Sequence, residues 1–311
     1  MKQNLATKRI LMVGCGDIAL RVAALLRGRH LLFGLARRAG RCAELRAAGI
    51  LPLSGDLDSR ASLARLAGLA DVVLHFAPPA TPKVPSPTGG RSGRGTQERG
   101  EVKRDLRTRN LLAALSRGKL PARLVYISTS GVYGDCAGAR VNETRALNPQ
   151  TARARLRADA ERQIRSWAER NHVGACILRV PGIYAAGRLP LERLRAGMAA
   201  IARDKDSYTN HIHADDLARI VAAALRYGKP GRVFHACDDS EMKMGDYFDA
   251  VADAFNLPRP PRLSRAETER SVSPALWSFM NESRRLANGR MKKELGVRLR
   301  YPTLADALEC L

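Results

Sequence analysis

The chain has 311 residues but no apolar run of about 18, the length needed to cross a bilayer as a helix, so no membrane span is expected. Its six cysteines, Cys15, Cys42, Cys136, Cys176, Cys237 and Cys310, form no Cys-x-x-Cys pair and no metal-ligand spacing. The six histidines are equally scattered, and no metal site is expected. A free thiol in a strand acts as a small apolar filler, and a reducing cytoplasm suits such residues. Acidic residues are also scarce: 30 Asp and Glu face 53 Lys and Arg, a formal net charge of +23. The basic start Met1 to Arg9 followed by apolar Ile10 to Val13 imitates a leader peptide. The apolar run breaks at once into Gly-x-Gly-Asp, so a buried first strand is the expected reading.

The surplus of arginine does not by itself make a nucleic-acid binder, which gathers its cations on one face or in one run. Here arginines punctuate nearly every Ala/Leu-rich pattern, as in Leu63-Ala64-Arg65-Leu66 and Leu191-Glu192-Arg193-Leu194-Arg195. That is the pattern of solvated helix faces, and no specific nucleic-acid partner is expected. A basic protein does favour anionic ligands, phosphorylated cofactors included.

What is present is an ordinary globular composition, 45% hydrophobic and 27% charged, with apolar strand-like and amphipathic helix-like segments in alternation. Strands are expected at 9–13, 30–36, 50–53, 72–77, 123–128, 175–179 and 232–236. Helices are expected at 17–28, 39–48, 59–67, 104–117, 152–170, 189–202, 215–227 and 244–256. Such alternation argues for an α/β, Rossmann-like doubly wound parallel sheet. The expected division is a dinucleotide-binding domain over 1–180, to which 205–238 return, and a smaller substrate-side domain from 181–204 and 239–311. Between Ala77 and Arg104 the composition turns to Pro, Gly and Ser, a long loop expected to be mobile without ligand.

The first strand runs into Gly14-Cys15-Gly16-Asp17-Ile18-Ala19, a Gly-x-Gly-x-x-Ala that opens a helix. In such a turn the first glycine allows the tight bend and the second lets backbone approach a pyrophosphate. Alanine is tolerated at the third position. Exposed amides at the helix start then stabilise the phosphate charge. An acid at the end of the second strand would accept from ribose hydroxyls, whereas arginine favours a 2′-phosphate. The chain has Leu35-Ala36-Arg37-Arg38 there, which points to NADP, with NAD as the alternative.

Farther on, Leu124-Val125-Tyr126-Ile127-Ser128-Thr129-Ser130-Gly131-Val132-Tyr133-Gly134 resembles the active-site strand of the extended short-chain dehydrogenase/reductases, the NAD-dependent epimerase/dehydratase family. The resemblance extends over essentially the whole chain. Asp56-Leu57 is similar to the Gly-Asp-Leu segment beside the adenine, although Asp58 or Ser59 here can equally cap a helix. Ala77-Pro78-Pro79 ends the strand whose backbone lines ribose and pyrophosphate in relatives. Pro181 and Ile183 lie in Leu178-Arg179-Val180-Pro181-Gly182-Ile183-Tyr184, which resembles the segment over the nicotinamide. His213, in His211-Ile212-His213-Ala214-Asp215-Asp216-Leu217, resembles a residue near the substrate cleft. The Gly-x-Gly opening and the end, Glu294-Leu295-Gly296 with Tyr301-Pro302-Thr303, are similar to an atypical subgroup.

The resemblance implies that Thr129 hydrogen-bonds the reacting oxygen. It also implies a Tyr-x-x-x-Lys pair on the next helix, yet the chain has neither tyrosine nor lysine between Gly134 and Val180. Aligning that helix on Glu161 puts Arg153 and Arg157 at the two positions. Arg157 can hold a ribose by donating hydrogen bonds. Arg153 has no acceptor and cannot act as a base. Three readings follow. In the first, hydride transfer persists and the proton comes from Tyr133, His213, Asp135 or water, at a loss of roughly 100- to 10,000-fold if acid/base help is missing. In the second, the protein is a non-catalytic NADP-binding sensor. In the third, a phosphorylated or nucleotide-linked sugar, held by Arg188 and neighbouring arginines, undergoes a different reaction. A small anionic substrate is expected, and a homodimer paired through 152–170 is possible by analogy with relatives.

Overall fold

The computed structural model describes residues 7–80 and 104–310, so most of the expected mobile loop, 81–103, lies outside the described residues. Seven strands form one parallel sheet: β1 Arg9–Val13, β2 Leu31–Ala36, β3 Ile50–Ser54, β4 Val72–His75, β5 Arg123–Thr129, β6 Gly174–Val180 and β7 Val233–His235. Their order across the sheet is β7-β6-β5-β4-β1-β2-β3. The chain therefore reverses direction between β1 and β4, and a crevice opens at the carboxyl ends of those two strands. Ligands of doubly wound sheets bind at such a reversal.

Alternate strand residues feed two cores, one on each face of the sheet. Ile10, Met12, Leu74, Val125, Ile127 and Leu178 pack beneath helices α1 (Asp17–Leu26) and α5 (Ala214–Tyr227). Leu11, Val13, Val73, Leu124, Tyr126 and Ile177 pack on the other side against α4 (Ala152–Arg170) and α3 (Leu106–Leu115), whereas α2 (Cys42–Ala47) joins the first core through Leu45. Near-continuous apolar strands are what burial on both faces demands. A separate core of Tyr184, Leu194, Ile201, Tyr247, Phe248, Val251 and Met280 forms beyond the carboxyl edge of the sheet, organised around α6 (Met244–Ala254).

Helices at Arg265–Ser271, Pro274–Met280, Gly289–Leu295 and Leu304–Leu308 are not among the expected ones, and three further departures bear on the site. The helix expected over 189–202 is only Leu191–Arg195, because Gly197 turns the chain at φ +65° and Ala200–Ile201 becomes a short strand. The segment 60–66 is a 3-10 helix rather than an α-helix. The sequence pattern also gave no sign of Gly182–Tyr184 pairing in parallel with His211–His213. That two-stranded piece carries the chain from the sheet into the third core.

Candidate functional site

The turn after β1 is fixed by the backbone. Gly14 has φ +93°, and a Cβ there would lie 2.5 Å from the Ala77 amide nitrogen, which itself donates to the Val13 carbonyl. Only glycine fits. Gly16, the residue capping α1, faces open space: nothing would lie within 4 Å of an added Cβ, and no side chain caps the helix. The positive end of a ten-residue helix is thus open at the crevice. Ile18 and Ala19 turn inward to the core, so only their backbone can serve a ligand. Cys15 is a filler whose thiol burial pushes up to about 11, and its carbonyl accepts from Arg41 at 2.7 Å.

A cavity of about 310 Å³ adjoins this turn, lined by Gly14, Cys15, Ala36, Arg37, Arg38 and Arg41 among others. Arg37 and Arg38 are exposed and, among the described residues, enter no ion pair, whereas Arg41 pairs with Glu44. Arg41 escaped the sequence reading; its only signal was its place three residues past the arginine pair. Asp56 is held in a local turn, accepting from the Asp58 amide at 3.0 Å, while Leu57 belongs to the core. Asp58 pairs instead with Arg107, which also donates to the carbonyls of Pro78 and Pro79.

The second cavity, about 640 Å³, lies between the carboxyl end of β5 and the third core. Thr129, Arg153, Pro181, Ile183 and Arg188 all line it, so the structure brings together residues that the sequence spreads over 60 positions. Thr129 ends β5 and caps the following 3-10 turn, its Oγ1 accepting from the Gly131 amide at 3.3 Å. That leaves the hydroxyl hydrogen available to a ligand oxygen. Arg157 is half-buried at the seam between β4 and β5. It donates to the Ile127 carbonyl at 2.7 Å, to Tyr126 Oη at 3.1 Å and to the Ala77 carbonyl at 3.5 Å. Arg153 stacks over the Phe279 ring at 4.0 Å. Arg188 crosses from the far wall to Asp17 in the first turn of α1, at 3.1 Å.

Three residues named from the sequence stand elsewhere. Tyr133 is 1% exposed and does not reach the cleft. Its hydroxyl accepts from Arg179 at 2.6 Å and sits 2.6 Å from His235 Nε2. His235 Nδ1 lies 2.9 Å from the Ala287 carbonyl, which can only accept, so Nε2 is the acceptor for Tyr133. Burial holds His235 down to about 3, hence neutral, and raises Tyr133. Arg179 completes the network through a two-pronged pair with Glu161. His213 caps α5, accepting from the Asp215 amide at 3.2 Å, and packs between Tyr184 and Tyr301. The histidine on the cleft wall is His211, stacked on Tyr247 at 4.0 Å and held neutral by burial, near 3. Asp135 also stays out of the lining, accepting from the Ala137 and Ser283 amides. No cluster of three or more His, Cys, Asp or Glu able to hold a metal occurs among the described residues.

The family model for the NAD dependent epimerase/dehydratase family matches residues 19–237. The chain belongs to this family. The matched span starts just after the glycine turn and ends just after β7. GDP-6-deoxy-D-mannose reductase of Pseudomonas aeruginosa is 25% identical over 191 residues, 53% of this chain and 61% of its own length. The chain spans under half of further curated relatives. A functionally unknown conserved protein from Silicibacter pomeroyi shares 29% identity and a TM-score of 0.76, with 98% of both chains covered. The UDP-glucuronic acid 4-epimerase of Bacillus cereus, solved in complex with NAD, has the same fold at TM-score 0.71 and 18% identity, covering 97% of this chain and 96% of its own. Among the described residues no helix is long and apolar enough to cross a membrane.

Proposed function

We propose that this chain binds NADP(H), with NAD(H) as the alternative, and exchanges a hydride with an anionic carbonyl or hydroxyl compound in the 640 Å³ cleft. One observation carries the reading: Gly14 packs its turn on Ala77 while Gly16 leaves the start of α1 open toward the crevice. The NAD-bound epimerase with the same fold supports it. Such a coenzyme would lie over Gly16 with its pyrophosphate on the amides of Asp17 and Ile18, the Gly16 amide being spent on the Gly14 carbonyl at 2.9 Å. Its adenosine would meet Arg37 and Arg38, with Asp56 and Leu57 nearby, and Pro181 and Ile183 would face its reactive ring. When bound, it supplies a hydride donor or acceptor.

The protein's own contribution is then positional. Thr129 donates to the reacting oxygen, and Arg157, at the Ala77–Ile127 seam, offers its remaining nitrogens to a ribose. Arg153 and Arg188 hold the anionic substrate. No protein group takes over the proton by a Tyr-x-x-x-Lys arrangement, so water is the donor this reading favours. The atypical subtype and a cytoplasmic setting, which suits six free cysteines, belong to the same proposal.

A second reading is kept because Tyr133 and His213 are both engaged elsewhere: a dinucleotide-binding sensor without turnover. Calorimetry with all four coenzyme forms, followed by a panel of anionic carbonyl and nucleotide-sugar substrates, decides. Binding with oxidation or reduction supports the enzyme; binding without turnover supports the sensor; no binding removes both. A homodimer through α3 and α4 is proposed as well. Its outer groove carries Arg109, Arg162 and Arg170 around Trp167, so pairing like charges there should strengthen with salt in sedimentation measurements.

A further inference from the structure

The inner end of the cleft holds more cation than its own carboxylates neutralise. Glu282 and Arg284 form a nearly buried pair at 2.8 Å, their side chains 6% and 11% exposed. The same guanidinium nitrogen of Arg284 also donates to the Gly134 carbonyl at 2.7 Å. Its Nε is buried and has no partner. Beside it, Arg153 enters no hydrogen bond or ion pair among the described residues; its guanidinium lies over the Phe279 ring at 4.0 Å. Both arginines line the cleft together with Thr129 and Gly131. Removing a guanidinium donor from water without an acceptor is costly. Arg153 is exposed to the cleft and shares this end of it with Glu282, Arg157 and Arg284.

An unspent buried donor next to an unpaired, stacked guanidinium describes half of a binding site. From this arrangement we infer an oxyanion subsite formed by Arg153 and Arg284 beside Thr129. It would take a carboxylate or phosphate that lies next to the reacting carbon of the substrate, rather than at a remote nucleotide end. Phe279 backs Arg153 from one side, 4.0 Å from ring centre to guanidinium carbon, and a guanidinium fork suits a two-oxygen acceptor. Arg188 and Arg193, on the other wall, remain for any second anionic group. The inference rests on the cleft being a substrate site, but the subsite can be tested without the coenzyme.

The test is calorimetric titration of the intact protein with two probes, malonate for a carboxylate source and inorganic phosphate for the other. Each is run on the parent, R153Q, R284Q, R153K and, as a distant control on the outer face of α4, R170Q. We expect R153Q and R284Q each to weaken probe binding roughly ten- to a hundredfold, as loss of one charge-assisted hydrogen bond implies. R153K should weaken it less and R170Q not at all. Loss confined to malonate assigns a carboxylate; loss of both probes assigns a general oxyanion site. Phosphate retained in R153Q reports the glycine turn, not this subsite. Malonate and phosphate affinities unchanged in both R153Q and R284Q overturn the inference, as does a parent that binds neither probe. Should the parent fail to bind any coenzyme while R153Q still loses malonate, the dinucleotide reading falls and the subsite stands. Thermal melts of every variant guard against misfolding, and R153K keeps the test alive if R153Q does not fold.

Discussion

Replacing Gly16 by alanine should leave the fold intact and remove the dinucleotide. The two glycines of the turn make opposite demands, which is what gives the substitution its force. At Gly14 the φ of +93° and the 2.5 Å approach to Ala77 mean that any side chain strains the backbone and pushes apart the ends of β1 and β4. Gly14→Ala should therefore cost stability on the order of 1–3 kcal/mol and confound any binding measurement. Gly16 has φ −90° and ψ −166°, ordinary extended backbone, and empty space around its absent Cβ. Alanine is a poorer helix cap than glycine, but by less than about 1 kcal/mol. Denaturant midpoints of Gly16→Ala and parent should nearly coincide. The added methyl group would stand where a pyrophosphate meets the helix amides and would hold it off. Losing one or two charge-assisted amide bonds, each worth about 1.5–3 kcal/mol, predicts at least a tenfold weaker coenzyme. Calorimetric or fluorescence titration with NADPH measures this directly. A Gly16→Ala protein that melts like the parent and binds coenzyme equally well would refute the pyrophosphate assignment, whatever else the fold resembles.

Arg37→Asp should lower NADPH affinity about tenfold or more while sparing NADH, since it removes a donor to the 2′-phosphate; parallel titration curves would end that assignment. Thr129→Ala should cut turnover and, by losing the cap on Gly131, about 1 kcal/mol of stability, whereas Thr129→Ser restores both; unchanged turnover on an identified substrate takes Thr129 out of the mechanism. Asp238 is buried with Oδ2 unpartnered, and burial raises its carboxyl to about 7. The folded state therefore binds its proton more tightly than the unfolded chain, so stability declines as pH rises from about 4 to 7. Asp238→Asn should stabilise the protein by a few kcal/mol, roughly, at pH 8 and little at pH 4; equal gains at both pH values would contradict the burial argument. In the opposite direction, His75, His211 and His235, each held near 3, make the fold lose stability as pH falls below about 6.5.

The sheet was legible in the sequence because its strands are buried on both faces and so read as apolar runs between amphipathic helices. The glycine turn was legible because backbone geometry leaves so few residue types for it. What could not be read was whether a polar side chain at a strand end points into the cleft or into the core. Tyr133 and His235 are separated by about a hundred positions, and neither carries a local sign that they meet. His211 and His213 share one side of a short strand, and only the second ends it as the cap of α5; that strand exists by pairing with Gly182–Tyr184, a contact made only in three dimensions. Arg41 was missed for a simpler reason, since one arginine among many on a basic chain gives no signal of its own.

The buried network around Arg179 bears on the missing acid. Glu161, which served to align α4 with relatives, is 1% exposed and spends both carboxylate oxygens on Arg179. Arg179 in turn holds Tyr133, and Tyr133 bonds His235 at the end of β7, the edge strand of the sheet. Each member is satisfied by the next, and removing one partner of such a buried ion pair typically costs about 3–5 kcal/mol. A tyrosine tied into that network cannot swing toward the cleft without exposing the whole chain of partners. The helix position that would face the cleft in its place, Arg153, carries a group that cannot give up its proton. The chain thus keeps the scaffold of an acid/base site while its fixed charge points toward the ligand. On that ground, binding an anion beside Thr129 is a stronger expectation for this cleft than delivering a proton to it.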